Sequence, residues 1–237
     1  MQHASAIADL RWSRYDDHPK TKKSNAVYES LKRLIVIGDL TPASSITEQA
    51  LARDYDCSQS TVREALLRLQ EDGLVLRHGY RGTAVTEATD EETALMLRLR
   101  LSIELSALEQ VVANITPDRI ADLRVIADLY DERRAVRDLY GVSEADIAFH
   151  MTLHQVANMP VVEPILQRSI IHVHRFLLTR HRPNLVWIKE IEASHSALLD
   201  AIEAGDYEAA KDLTYRHTTT STIEVDPVIR QRLVGAL

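Results

Sequence analysis

Asp146 and His150 stand four residues apart, a spacing that puts both side chains on one face of a helix. His195 and His217 fall in two other segments with helical patterning. One carboxylate and three imidazoles drawn from facing helices would supply four ligands for a first-row transition metal or zinc, with positions left for water or an anion. Sequence separation alone does not bring distant histidines together. Taken singly, each is more often a capped, partly buried or surface residue than a ligand.

Those side chains need helices to position them, and the second part of the chain reads as a series of helices. Thr89-Asp90-Glu91-Glu92 is a capping box, a hydroxyl with a carboxylate three residues on, and it opens a long helix through about Asn114. Thr116-Pro117-Asp118 starts the next, with proline where its missing N–H is harmless. Ser143 is the expected cap of the helix that carries Asp146 and His150 and ends near Asn158. A helix from Val161 to Arg180 has Pro164 in its first turn, and another from about Leu185 to Ala204 stops at Gly205. Asp206 caps the last, which runs from Tyr207 through the Thr218–Thr222 run. Strand patterning is missing after residue 89, so residues 89–237 are expected to form an all-α antiparallel helical bundle. His154 reads as pocket lining or partly exposed. His172 and His174 point to opposite sides of their helix, so at most one faces a pocket. His181 reads as surface, and Trp187 and Tyr140 as core or interface residues.

The first part of the chain has a different plan. Residues 1–23 read as a flexible arm whose Lys20, Lys22 and Lys23 could reach phosphates. Residues 24–37 read as a helix, with Ser24 as cap, Val27, Leu31, Leu34 and Ile35 as its apolar stripe, and Gly38 ending it. Ile46 to Tyr55 is a second short helix with Ser45 or Thr47 as cap, and the turn Asp56-Cys57 leads to a third. Ser58 is a good N-cap for that third helix, Gly73 closes it, and Val62, Ala65, Leu66 and Leu69 line one side. Its leading end offers Gln59, Ser60, Thr61 and Arg63, all hydrogen-bond donors of the kind a major-groove reader uses. Leu74 to Arg77 and Thr83 to Thr86 are strand-like and flank His78-Gly79-Tyr80-Arg81-Gly82, a basic β-hairpin wing. The fold class expected is mainly α: a winged helix-turn-helix domain over residues 24–88 and the helical bundle over 89–237. The DNA-facing set would be Gln49, Ser58, Gln59, Ser60, Thr61 and Arg63, joined by His78 and Arg81 of the wing. Arg68, near the rear end of the helix, reads equally as a phosphate contact or a salt-bridge partner.

Composition is compatible with this plan. With 237 residues, 45% of them hydrophobic, the chain can bury the cores of two domains. It has no run of 18 apolar residues to span a membrane and no secretion signal. Its one cysteine, Cys57, excludes an internal disulfide and fits a reducing cytoplasm, the expected location. The formal net charge of −7 is unusual for a DNA binder, but residues 1–88 carry 12 basic and 12 acidic side chains, so the whole excess lies in residues 89–237. Local donors decide specific docking more than the global sum.

At the residue level the first part resembles a known family. Leu51-Ala52, Ser58, Val62-Arg63-Glu64-Ala65-Leu66, Leu69, Gly73-Leu74-Val75 and Gly82 match the winged helix-turn-helix of GntR-type bacterial transcriptional regulators over roughly residues 25–88. Ala43 stands where the family often has glycine, and Gln49 and Gln59 stand where many relatives carry a DNA-contacting arginine. Because arginine favours guanine and glutamine adenine, the resemblance implies an operator unlike those of the arginine-bearing members. Asp146-Ile147-Ala148-Phe149-His150, Asn158, Ser194-His195 and the Gly205-Asp206…His217 segment resemble the C-terminal ligand-binding domain of the FadR subgroup. The resemblance implies a divalent transition metal (zinc, nickel, manganese or iron) held by Asp146, His150, His195 and His217. It also implies that Arg100, in Arg100-Leu101-Ser102-Ile103-Glu104, grips the carboxylate of an effector, with Glu104 as a surface or structural partner. Ser194 replaces an acidic residue common before the third ligand.

These expectations add up to a cytoplasmic repressor that is not an enzyme. It would bind a pseudo-palindromic operator as a homodimer and respond to a small carboxylate at a metal site. Two alternatives stand beside it: a regulator for which the metal itself is the signal, and a metal-dependent enzyme, for which no general base is evident.

Overall fold

The computed structural model describes residues 19–77, 82–181 and 194–234. The chain divides into two compact units, Met1–Glu87 and Ala88–Leu237. Residues 1–18 of the expected arm, the wing residues His78 and Arg81, and Leu185 and Trp187 of the expected eighth helix lie outside the described residues.

The first unit is built on three helices and a hairpin: α1 (Pro19–Val36), α2 (Glu48–Asp54), α3 (Gln59–Glu71), β1 (Val75–Arg77) and β2 (Thr83–Val85). Helix α3 is central, packing on α1, α2 and β1. Its Val62, Ala65, Leu66 and Leu69 have no exposed surface, because four apolar residues at helical spacing make one continuous stripe for the other elements to cover. Ser58 caps it, Oγ accepting from the Thr61 amide at 3.1 Å, and Thr47 caps α2. The strands pair antiparallel with Val75 opposite Val85, and Ile46 adds a single bridge to Thr83. Helix α1 starts five residues earlier than expected. Pro19 is tolerated in a first turn, the lysines that follow are good helix formers, and Ser24 is buried inside the helix rather than capping it.

The second unit consists of α4 (Asp90–Asn114), α5 (Pro117–Ala135), α6 (Leu139–Val156), α7 (Glu163–Arg180), α8 (His195–Glu203), α9 (Tyr207–Val225) and α10 (Pro227–Val234). The capping box forms as expected, Thr89 Oγ1 accepting from the Glu92 amide at 3.2 Å. Helix α4 runs along α6, α7, α9 and α10, while α5 packs on α6 and α8. Phe149, Phe176, Leu97, Leu108, Leu123 and Met151 fill the centre.

Three sequence expectations change. Helix α6 begins four residues before Ser143, capped by Asp138, whose Oδ1 accepts from the Gly141 amide at 3.0 Å. Ser143 is buried within that helix. His181 is not a surface residue: Nε2 lies 2.8 Å from Asp226 Oδ2, and Asp226 in turn accepts from the amides of Val228 and Ile229 at the start of α10. That last helix was not expected, although Asp226-Pro227 repeats the cap-then-proline signature of Thr116-Pro117.

Because α6 carries two of the candidate ligands, its entry is a test of the architecture. A Cβ at Gly141 would run into the Asp138 carboxylate and the Arg133 side chain, so Gly141→Ala must displace the cap. The expected cost is about 1 kcal/mol, the usual worth of such a cap. It should appear as a lower urea midpoint with reduced hydrogen-exchange protection in the first turn of α6.

Candidate metal centre and DNA-reading surface

Asp146 is the focus of the second unit. Three imidazole Nε2 atoms approach one of its oxygens, Oδ1: His195 at 3.2 Å, His217 at 3.3 Å and His150 at 3.6 Å. Its other oxygen, Oδ2, faces Arg100 Nη2 and His174 Nε2, both at 3.2 Å. The four candidate ligands are buried, and one ligand atom from each lies within 4.8 Å of the others. The helices deliver them as the spacing requires: Asp146 and His150 from one face of α6, His195 from the first residue of α8, His217 from the middle of α9. Ser194 caps α8, Oγ accepting from the Ala197 amide at 3.2 Å, which orients the turn that presents His195.

The donor atoms have the properties a metal site needs. Among the described residues, His150 Nε2 and both ring nitrogens of His195 are buried without a hydrogen-bond partner. Their approach to Asp146 is close but not aligned for hydrogen bonding. Atoms that bind one metal at 2.0–2.2 Å stand roughly 3 Å apart across its coordination sphere, the separation seen around Oδ1. The residues therefore fit a divalent transition metal by donor chemistry and by their unsatisfied nitrogens.

Further residues set the state of these ligands. Glu104 is buried rather than at the surface, and it is the structural partner in the group. Arg100 Nε donates to its Oε1 at 3.0 Å, His150 Nδ1 lies 3.1 Å from the same oxygen, and Thr218 donates to Oε2 at 2.7 Å. Burial alone would lower His150, but Glu104 and Asp146 outweigh it and raise the ring, so an ion would have to displace the proton on Nε2 while the one on Nδ1 stays directed at Glu104. Ser143 Oγ, 2.9 Å from His174 Nδ1, places the His174 ring on Asp146. Burial alone would raise the Asp146 carboxyl, but the charges of His150 and Arg100 outweigh it and hold the group well below the usual carboxylate range. Glu104 is lowered in the same way, burial being overcome by Arg100 and His150. Burial, with the neighbouring His217, depresses His195 to about 3, which keeps its imidazole neutral as a ligand must be.

Of the sequence-based candidates, the structure brings Asp146, His150, His195, His217 and Arg100 together. It adds Glu104, His174 and Ser143. Glu104 had a readable signal, since Arg100 and Glu104 continue the stripe of Leu97, Leu101 and Leu108 on the buried side of α4. His172 points elsewhere, to Thr93 at 3.2 Å. His154 is buried on the next turn of α6 after His150.

In the first unit Gln49, Ser58, Gln59, Ser60 and Arg63 are exposed. Thr61 is not on that surface: it is buried, and its hydroxyl lies 2.8 Å from the capping Ser58 Oγ, so it serves the helix end. Arg63 extends from α3 to Glu48 of α2 in a two-point contact, Nε to Oε1 at 3.2 Å and Nη2 to Oε2 at 2.7 Å. Arg77 of the wing strand joins the same carboxylate at 2.9 Å. The Arg68 guanidinium lies over the Tyr28 ring at 3.9 Å and donates to Asn25 of α1.

A winged helix-turn-helix followed by a separate helical unit is the plan of a class of DNA-binding regulators. Comparison with known proteins makes this specific. Residues 23–85 match the bacterial regulatory proteins of the gntR family, and residues 95–220 match the FCD domain. The chain belongs to the FCD-domain branch of the GntR family of transcriptional regulators and is not an enzyme. It is 24% identical to the HTH-type transcriptional regulator McbR of Escherichia coli strain K12, over 78% of this chain and 84% of that protein. With the HTH-type transcriptional repressor RspR of the same strain it shares 26% identity over 60% of this chain and 62% of that one. The structure of Escherichia coli McbR/YncC has the same fold, with a TM-score of 0.71 at 22% identity, covering 88% of this chain and 98% of that one. A GntR regulator from Rhodococcus sp. RHA1 follows at 0.65 and 28%, covering 86% and 97%. Among the described residues no helix is long and apolar enough to cross a membrane.

Arg100 is the cation that faces both buried carboxylates, so its removal is informative without any metal. Arg100→Ala should destabilise the helical unit by about 3 kcal/mol, the usual cost of stripping one partner from a buried charge group. Chemical unfolding in the presence of a chelator measures it, and an unchanged midpoint would mean that the carboxylates are neutralised by other means.

Proposed function

We propose that the protein is a repressor that binds a pseudo-palindromic operator as a homodimer and whose affinity is set by a small carboxylate held at a metal site in the helical unit. The observation that carries this reading is the convergence of three Nε2 atoms and one carboxylate oxygen in a buried pocket, two of those nitrogens having no hydrogen-bond partner among the described residues. Asp146, His150, His195 and His217 would hold the ion. A divalent transition metal there would supply open positions for the oxygens of an organic acid. Arg100 already pairs with Glu104 and Asp146, so the charge that draws an acid would come from the ion, and Arg100 would share a donor with the bound carboxylate. A ligand that prefers one arrangement of these helices shifts the population toward it, and α4, which follows the wing directly in the chain, is the element that carries Arg100 and Glu104.

On the DNA side, Gln49, Gln59, Ser60 and Arg63 would meet the operator, with the exposed cap Ser58 beside the phosphates and His78 and Arg81 reaching from the wing. The two glutamines favour adenine at positions that arginine would read as guanine. Arg63 must exchange Glu48 for DNA, which adds a contact whose strength depends on salt.

Two substitutions test the two halves separately. Arg63→Ala should weaken operator binding by about 1–3 kcal/mol while leaving the helical unit intact, read by fluorescence anisotropy on a selected operator; unaltered binding removes Arg63 from the DNA surface. His195→Ala should lower metal content, read by elemental analysis, and abolish the response of operator affinity to organic acids, while basal DNA binding persists. Normal metal content in that variant refutes the ligand set. If metal alone changes operator affinity in the native protein, the ion is the signal rather than the acid.

A further inference from the structure

Next to the His3Asp group, and lined in part by its His150, lies a cavity. Counting its open mouth it spans roughly 320 Å3 of empty space, of which only a part about the size of a water is enclosed, so the body of a ligand must occupy the mouth as well. Its walls are apolar, from Ala107, Leu108 and Val111 of α4, Leu153 of α6 and Leu198 of α8. Its polar lining comes from Glu104, His150, His154 and Thr214. Glu104 and His150 belong to the candidate centre already described, so the cavity opens from that centre. Thr214 donates its hydroxyl proton to the Ala210 carbonyl at 2.8 Å and retains only acceptor capacity.

His154 stands apart in this lining. It is 3% exposed, and neither Nδ1 nor Nε2 has a hydrogen-bond partner among the described residues. Leaving a buried imidazole with both nitrogens unsatisfied is costly, and such a group is commonly completed by a ligand or an ordered water. One turn separates it from His150 on the same helix face, about 6 Å along the axis. That is the length of a short carbon chain.

We propose that this cavity is the specificity pocket for the effector, and that His154 reads a hydroxyl on the far end of a monocarboxylic acid with a short apolar body. The proposal rests on the metal-and-carboxylate reading above, which places the acid group at the His3Asp end. The body then lies against Ala107, Leu108, Val111, Leu153 and Leu198. At the far end a neutral imidazole donates from one nitrogen and accepts at the other; a hydroxyl can take either role and completes one of them, the other being left to an ordered water. Burial keeps His154 neutral, outweighing the pull of Glu163 and Glu104. The acidic Glu163, whose charge reaches His154, makes the far end unsuited to a second carboxylate, so dicarboxylates are disfavoured.

The test uses full-length metal-loaded protein and three acids of one length: butanoate, 4-hydroxybutanoate and succinate. Calorimetry should give 4-hydroxybutanoate about tenfold tighter binding than butanoate, with succinate weakest. In His154→Leu the preference for the hydroxyl should vanish with butanoate binding unchanged or improved, and His154→Gln should restore part of it. Nitrogen-15 spectra of the histidine rings, assigned with the His154→Leu variant, should show His154 shifting with the hydroxy acid. Binding of the acids without any change at His154, or an equal preference in His154→Leu, overturns the proposal and leaves His154 completed by buried water. Failure of all three acids to bind a protein that holds metal overturns the ligand class. Binding that persists after the metal is removed would instead refute the metal reading, and the His154 comparison would still decide the pocket.

Discussion

The second unit depends on a buried negative charge. Asp146 sits on α6 with 6% of its surface exposed, and an isolated carboxylate at that depth would be untenable. Four other helices answer it with one side chain each: Arg100 from α4, His174 from α7, His195 from α8 and His217 from α9. These contacts join the helices across the core, and they restrict their register in a way that leucine packing does not. Glu104 extends the constraint by adding a second buried carboxylate that shares Arg100 and His150 with the first. Thr218, adjacent to His217, ties α9 back to it. The helical unit is thus assembled around a polar focus, with Phe149 and Tyr130 sealing it where their rings pack against His195 at 4.1 and 4.5 Å.

The first unit solves a smaller version of the same problem at its surface. Glu48 at the start of α2 is near the free amides of that helix, where a carboxylate is favoured. It accepts from Arg63 on α3 and Arg77 on β1, so one side chain links the two helices of the turn motif to the wing. The Arg63 contact lowers the Glu48 carboxyl, keeping it ionised. Arg63 is thereby held extended rather than free to sample rotamers, which reduces the entropy lost when it takes a fixed partner.

Much of this was readable in the chain because local signals and burial agreed. Ser58, Thr89, Thr116 and Asp206 each stand before an apolar pattern, and each caps a helix. The four-residue step from Asp146 to His150 survives folding because it is internal to one helix. What local pattern could not supply was anything decided between helices. Ser143 has the right type for a cap, but it is three residues before Asp146, on the same face, and tertiary packing gives its hydroxyl to His174 instead. Thr61 stood on the donor-rich end of α3 by count of residues, whereas its angular position turns it inward. His174 gave no motif, since a ring that answers Asp146 from another helix needs no spacing of its own.

The polar focus also separates function from stability. Replacing a buried ionic group by apolar residues of similar volume is often neutral or stabilising, so a helical bundle gains little by keeping one for its own sake. Here the arrangement remains incomplete by its own internal contacts: His150 Nε2, both nitrogens of His195 and both of His154 lack hydrogen-bond partners among the described residues. A group maintained for packing would have its nitrogens paired within the protein, as His174 is by Ser143 and Asp146 and His181 is by Asp226. The contrast falls along one face of α6, where Asp146, His150 and His154 follow one another turn by turn from the convergence of imidazoles to the apolar cavity. Polar capacity left open at two successive turns of a buried helix is what a binding site for a small molecule requires, an anchor at one end and a discriminating contact at the other.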